Sequence, residues 1–169
     1  AAAMQDAKEI FASLGAELRH VQFPDPQDVI RDWGPQCAVE TAVAHATTFP
    51  SQRAAYGPGL GGFIEMVRGV NALDLQKVWL RRRQFAGRVA ALFETIDLLL
   101  IPAQPMASPT MAQMETLGSD PTAFEVLVKF TAPFNTTGSP TMTFPAGFTP
   151  KGTPVAMQVV GRHLDEALL

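Results

Sequence analysis

Cysteine is nearly missing from this sequence. Cys37 is the single cysteine among 169 residues, which excludes an internal disulfide and a thiolate metal cluster and fits a reducing, cytoplasmic setting. Histidine is scarce, and no pair sits at metal-ligand spacing; His20 and His45 read as structural or surface residues. No apolar run approaches the roughly 20 residues needed to cross a bilayer. The first residues show no charged stretch followed by an apolar one, so no secretory signal is read there. Charge is low at 17%, the net charge is −3, and no basic tail is present. That leaves no electrostatic basis for binding nucleic acid. There is no internal repeat and no low-complexity segment. Neither a G-x-S-x-G elbow nor an S-x-x-K motif occurs.

What is present is a chain able to build a core. The composition is 47% hydrophobic, which excludes a disordered polypeptide. Residues Ala2 to Leu14 place Met4, Ala7, Ile10, Phe11 and Leu14 at helical spacing, with Gly15 at a left-handed cap position. Leu18 to Phe23 reads as a short strand, the second half of a βαβ unit. Asp25-Pro26 opens an Ala-rich helix toward Phe49, expected to break at Gly34-Pro35. Arg53 to Gly62 reads as a Gly-rich loop. It lacks the Lys-Ser/Thr of a phosphate-binding loop, so it is taken as a connection. One or two helical turns follow, from Phe63 to the stop at Gly69.

The longest helix is expected over Ala72 to Thr95, with Asn71 as its cap and Asp74 in its first turn. Leu75, Val78, Trp79, Arg82, Phe85, Val89, Leu92 and Phe93 follow its period, and Arg82 alone is not apolar. Arg81 to Arg83 and Arg88 spread around the helix and read as a solvated face with ion pairs. The run Asp97 to Pro102 predicts a buried strand, central and parallel to its neighbours. Gln104 to Ser119 reads as irregular, with Met106, Met111 and Met114 as adaptable apolar bulk that covers a pocket or simply packs as loop. Asp120-Pro121 opens a further helix that ends near Pro133.

The stretch from Thr131 to Glu166 carries most information. Thr141 to Phe144 and Val155 to Val160 read as strands of a hairpin, with Thr149-Pro150-Lys151-Gly152 as a β-turn. Asp165 and Glu166 read as the first turn of another helix. The order N-x-T-G-x-P, P-A-G, G-x-P-V-x-x-Q-V-V-G-R and D-E-A-L-L is distinctive. It falls on Asn135, Thr137, Gly138, Pro140, Pro145, Ala146, Gly147, Gly152, Pro154, Val155, Gln158, Gly161, Arg162, Asp165 and Glu166. This string resembles the closing part of the amidase signature family. F-E-T-I-D-L-L-L-I-P is similar to a second family segment, although Ala103 stands where the family has Thr.

The resemblance implies an α/β fold, a mixed sheet with helices on both faces, and residues 1–169 as the C-terminal portion of one amidase domain. It implies hydrolysis of a carboxamide through an acyl-enzyme formed by a Ser–cis-Ser–Lys triad. No Gly-Gly-Ser-Ser-Gly-like run is present, Lys8, Lys77, Lys129 and Lys151 have no adjacent Ser, and Pro140 follows Ser139, removing an oxyanion N–H. No catalytic residue is therefore assigned, the triad is expected upstream, and the chain by itself is expected to be inactive. The helix starting as the chain stops, and the lack of an initiator Met, raise the same expectation of a longer protein. Thr131, Phe134 and Asn135 are the expected substrate-facing residues, with helix capping as their alternative role. Gln158 is expected to satisfy neighbouring polar groups rather than touch substrate. No metal or organic cofactor is implied. The expected partners are a small amide and the upstream part of the same protein; homo-oligomerisation is left open. The alternatives are the amidase component of a tRNA-dependent amidotransferase, or a non-catalytic binding or assembly piece.

Overall fold

A computed structural model describes residues 2–117 and 120–169. Ala1 and the Gly118-Ser119 end of the expected irregular segment lie outside the described residues. Helix α1 (Ala2–Ser13) ends as its glycine requires. Gly15 takes φ +93, Gly15 N–H donates to Ala12 O at 3.0 Å and Ala16 N–H to Phe11 O at 3.0 Å. These are the paired bonds of a Schellman cap. Ala7 is buried and Phe11 meets Phe144 edge-on at 6.0 Å. Ile10 and Leu14, from the same predicted stripe, face outward.

The expected strand over Leu18 to Phe23 does not form. The backbone there has no ladder partner among the described residues. Alternate side chains still point inward, and Val21 and Phe23 pack on the core. Side-chain burial holds this segment, which explains a strand-like pattern without strand pairing.

Helix α2 (Gln27–Ala44) runs unbroken through Gly34-Pro35, against the expected break. Its burial explains this: Val29, Ile30, Asp32, Gln36 and Ala38 face inward, and tertiary packing outweighs the bond lost at Pro35. The Gly-rich region is also mostly helical. Short α3 (Phe49–Gln52) leads through a 3-10 turn into α4 (Pro58–Glu65), with Gly57 at the cap and Pro58 pre-set for the first turn. A second 3-10 turn covers Met66–Gly69.

Helix α5 (Ala72–Leu92) starts as expected, Asn71 Oδ1 accepting Asp74 N–H at 2.9 Å. It buries Val78, Phe85 and Val89 and hands Phe93 to the core beyond its last turn. Strand β1 (Leu99–Pro102) follows. Then come α6 (Met111–Leu117), inside the segment expected to be irregular, and α7 (Pro121–Val128), capped by Asp120 Oδ1 on Thr122 N–H at 2.9 Å. The helix expected to continue to Pro133 instead breaks after Val128, and a separate α8 (Ala132–Thr137) begins.

Strands β2 (Thr141–Phe148) and β3 (Pro154–Val160) form the expected hairpin, with Gly152 N–H bonded to Thr149 O at 2.9 Å. An irregularity between Pro145 and Phe148, where Gly147 takes φ +105, lengthens β2 beyond its predicted end. The three-stranded sheet has the order β1-β3-β2 and is antiparallel throughout. The α/β class holds, but β1 is neither central nor parallel. The residue run was apolar enough for a central strand, yet β3 takes that place, with Met157 to Val160 all buried.

Directly opposed residues share a face. Val160 stands opposite Leu99 and Thr141, and Gln158 opposite Ile101 and Thr143. Val160 and Leu99 join Val29, Phe85, Val89, Phe93 and Phe134 in the main core, under α2, α5 and α8. Met157 and Phe144 are opposed on the other face, where α1 lies. Helices thus cover both faces. Each fully buried core side chain contributes about 1.5–3 kcal/mol.

Candidate functional site

Helix α8 and the residues that hold it form the candidate site. Thr131 and Asn135 are exposed and lie one helical turn apart, Asn135 N–H donating to Thr131 O at 3.1 Å. Thr131 occupies the cap position, yet its hydroxyl does not cap the helix; it donates to Val128 O at 3.3 Å. The Asn135 amide makes no hydrogen bond to a described residue. Thr131 thus gives its hydroxyl proton to a terminal carbonyl of α7, which is the alternative helix-end role, whereas the exposed Asn135 amide is engaged in no capping bond with a described residue. Phe134 points the opposite way. It is 3% exposed and sits 5.7 Å from Phe23 within the core. The structure therefore brings Thr131 and Asn135 onto one face and places Phe134 beneath them.

The ends of α8 are tied to other elements. At the start, the Gln158 side-chain amide donates to Phe130 O at 2.7 Å and to Pro102 O at 3.3 Å. Gln158 is buried, and its role as a satisfier of backbone groups is as expected. At the end, Arg82 Nε donates to Thr136 O at 2.9 Å, while its guanidinium lies 5.1 Å from the Trp79 ring centre. Gly138 takes φ +72, and both Gly138 and Ser139 donate to Phe134 O, at 2.8 and 3.2 Å. Beside it, Thr137 and Ser139 hydroxyls are 2.8 Å apart, and His163 Nδ1 approaches Gly138 O at 2.7 Å. Thr137, Ser139, Arg162, His163 and Phe93 line a small cavity of about 50 Å³ there.

The arginine run divides its work. Arg81 makes a two-point ion pair with buried Asp32, at 2.6 and 2.7 Å, and this bond holds its guanidinium above its ordinary basicity. Arg82 serves α8, and Arg88 lies over Phe85. The signal for Arg82 was present in the sequence: it alone interrupts an apolar helix stripe. The Phe130 and Thr136 carbonyls left no signal, because backbone partners depend on the fold. Burial, and then the charge of Glu40, push the Cys37 thiol up, against a lowering influence from Arg82. His45 Nδ1 lies 2.9 Å from the Tyr56 hydroxyl, a structural contact. Among the described residues no group of three or more His, Cys, Asp or Glu could hold a metal. No hydrogen bond joins a serine to a lysine among the described residues.

The Amidase family profile matches residues 1–169. This chain belongs to the amidase signature family. Among its relatives is "Putative amidase AmiD" of Mycobacterium bovis, 42% identical over 132 residues, covering 78% of this chain and 28% of that protein. Another is a glutamyl-tRNA(Gln) amidotransferase component of Granulibacter bethesdensis, 40% identical over 94 residues, covering 56% of this chain and 18% of that protein. The amidase chain thus spans under a third of the length of these relatives. Its fold is similar to that of 6-aminohexanoate cyclic dimer hydrolase complexed with substrate, with a TM-score of 0.81 at 21% identity, over 99% of this chain and 38% of that one. It is also similar to a bacterial aryl acylamidase of the amidase signature family, with a TM-score of 0.72 at 22% identity, over 98% and 37%.

Proposed function

We propose that this chain is the C-terminal portion of one amidase domain and supplies a wall of its substrate site. The intact protein cleaves a carboxamide to a carboxylate and ammonia or an amine. A serine attacks the carbonyl, the amine leaves with a proton, and water releases the acyl group. The Ser–cis-Ser–Lys triad is supplied by sequence outside residues 1–169. Thr131 and Asn135 face the amide, and Phe134 anchors them to the core. The partners are a small amide and the upstream part of the protein, in a cytoplasmic setting. The reading is carried by the Amidase match over the whole chain, in which no serine–lysine hydrogen bond forms among the described residues.

The surface supports the same reading. The chain exposes 10853 Å², whereas a compact monomer of its 18.2 kDa mass exposes about 8,100 Å². Large apolar side chains stand in that surface and are suited to contact with further protein.

The test is ammonia release from benzamide and hexanamide by the full-length gene product and by the 169-residue chain alone. The full-length protein turns over at least one amide, and the short chain stays at background. Turnover by the short chain would mean a nucleophile within it and would overturn the reading. The likeness to glutamyl-tRNA(Gln) amidotransferase components favours a second reading, in which ammonia passes to charged tRNA. Co-purification with a second polypeptide and amidation of glutamyl-tRNA separate the two.

A further inference from the structure

We propose that Gln158 and Arg82 are positioning residues for substrate binding, one fixing the start of α8 and the other its end. The proposal rests on the reading that Thr131 and Asn135 face the amide. Helix α8 has 6 residues, too few to hold itself in place by helix formation alone. Its outward face is therefore only as well placed as its ends.

The start is fixed from the sheet. Gln158 lies in the central strand between Ile101 and Thr143 and is 3% exposed. Both of its neighbours, Phe130 O and Pro102 O, are acceptors, so only the amide nitrogen can face them. Its two N–H groups bridge the end of β1 to the residue just before Thr131. The end is fixed from α5. Thr136 O is one of the last carbonyls of α8, which have no partner within the helix. Arg82 supplies that partner at 2.9 Å together with a positive charge at the negative end of the helix. The guanidinium also lies over the Trp79 ring, a second contact that restrains it. A tie at each end sets both the height and the rotation of the Thr131–Asn135 face.

The test uses the full-length amidase and whichever of benzamide or hexanamide it turns over. Thr131→Val and Asn135→Ala probe the face itself. Gln158→Met and Arg82→Met remove the ties, and Arg82→Lys is a milder variant that keeps the charge but loses the planar donor. Each tie variant raises KM by roughly three- to tenfold, more than it lowers kcat. Amide exchange quickens in α8, while α5 and β1 keep their protection. Gln158→Glu gives the diagnostic pH profile. As a carboxylate it faces two carbonyls and loosens α8; as pH falls it takes up a proton and donates to Phe130 O. Its KM then returns toward the parent value, a limb absent from the parent. If the face variants raise KM and the tie variants do not, the positioning role is overturned while the face reading stands. If the face variants leave KM unchanged, the face reading falls; a raised KM in the tie variants then overturns the route through α8.

Discussion

Asp32 and Arg81 form the ion pair most exposed to a single substitution. The Asp32 side chain is 11% exposed and that of Arg81 34%. Arg81→Met leaves a nearly buried carboxylate without its two donors. The expected loss is about 1–3 kcal/mol, less than for a fully buried pair because Arg81 is partly solvated. Thermal unfolding of the intact protein checks it, and Asp32→Leu added to Arg81→Met restores most of the loss. Thr136 gives the opposite sign. Its hydroxyl is buried and makes no hydrogen bond to a described residue. Thr136→Val keeps the shape and removes the orphan, and stability rises by about 1 kcal/mol. A fall would mean that a buried water holds the hydroxyl. Cys37 responds to pH. Burial raises its thiol above the ordinary value, so the folded protein holds that proton more tightly than the unfolded chain. This contribution to stability is intact below the ordinary thiol range and lost as pH rises through the folded value. Alkylation of native Cys37 by iodoacetamide is correspondingly slower than that of the unfolded chain at the same pH, with the difference shrinking above the folded value.

Glycines show how the same substitution changes sign between elements. Gly87 sits inside α5 with nothing within 4 Å of the place an added methyl would take. Gly87→Ala removes helix-disfavouring freedom and stabilises by roughly 0.5–1 kcal/mol. At the end of α8, Gly138 has φ +72, and an added Cβ would stand 3.0 Å from the His163 ring. Gly138→Ala is expected to cost about 1–2 kcal/mol, from backbone strain and from displacing His163. Comparing the unfolding midpoints of the two variants tests both signs at once. The same contrast separates what was legible in the sequence from what was not. Local chemistry was readable: the Asn71 and Asp120 caps, the Gly15 stop and the 149–152 turn all form where their residues predict. Beyond the β2–β3 hairpin, longer-range arrangement was not readable. The 18–23 segment joins no ladder among the described residues, α2 passes through Pro35, and β1 lies at an edge, because each outcome depends on distant packing. In the candidate site, Thr131, Phe134 and Asn135 were read together as substrate-facing; the burial of Phe134 and the break between α7 and α8 were not legible, since both depend on packing against distant elements.

At the scale of the whole molecule, surface is the quantity that departs from a self-contained domain. The area of 10853 Å² exceeds the roughly 8,100 Å² of a compact chain of this mass by about a third. Ile10, Leu14, Met142 and Phe148 are among the exposed apolar residues. They lie on α1, just past its end, and on β2, and β2 is an edge strand with one side unpaired by any described strand. An open strand edge and exposed apolar side chains are both routes to association. The 169-residue chain expressed alone is therefore expected to self-associate, seen as a concentration-dependent rise in sedimentation coefficient. Replacing Met142, 44% exposed on that edge strand, with Lys places a charge there and shifts the distribution toward monomer. On the proposed reading that an upstream part of the same protein packs on this surface, co-expression with that part is expected to remove the association more fully than Met142→Lys, by covering the apolar side chains as well as the strand edge. A monodisperse monomer of the short chain at high concentration would contradict this, and would mean that its apolar surface is tolerated in water without any protein covering it.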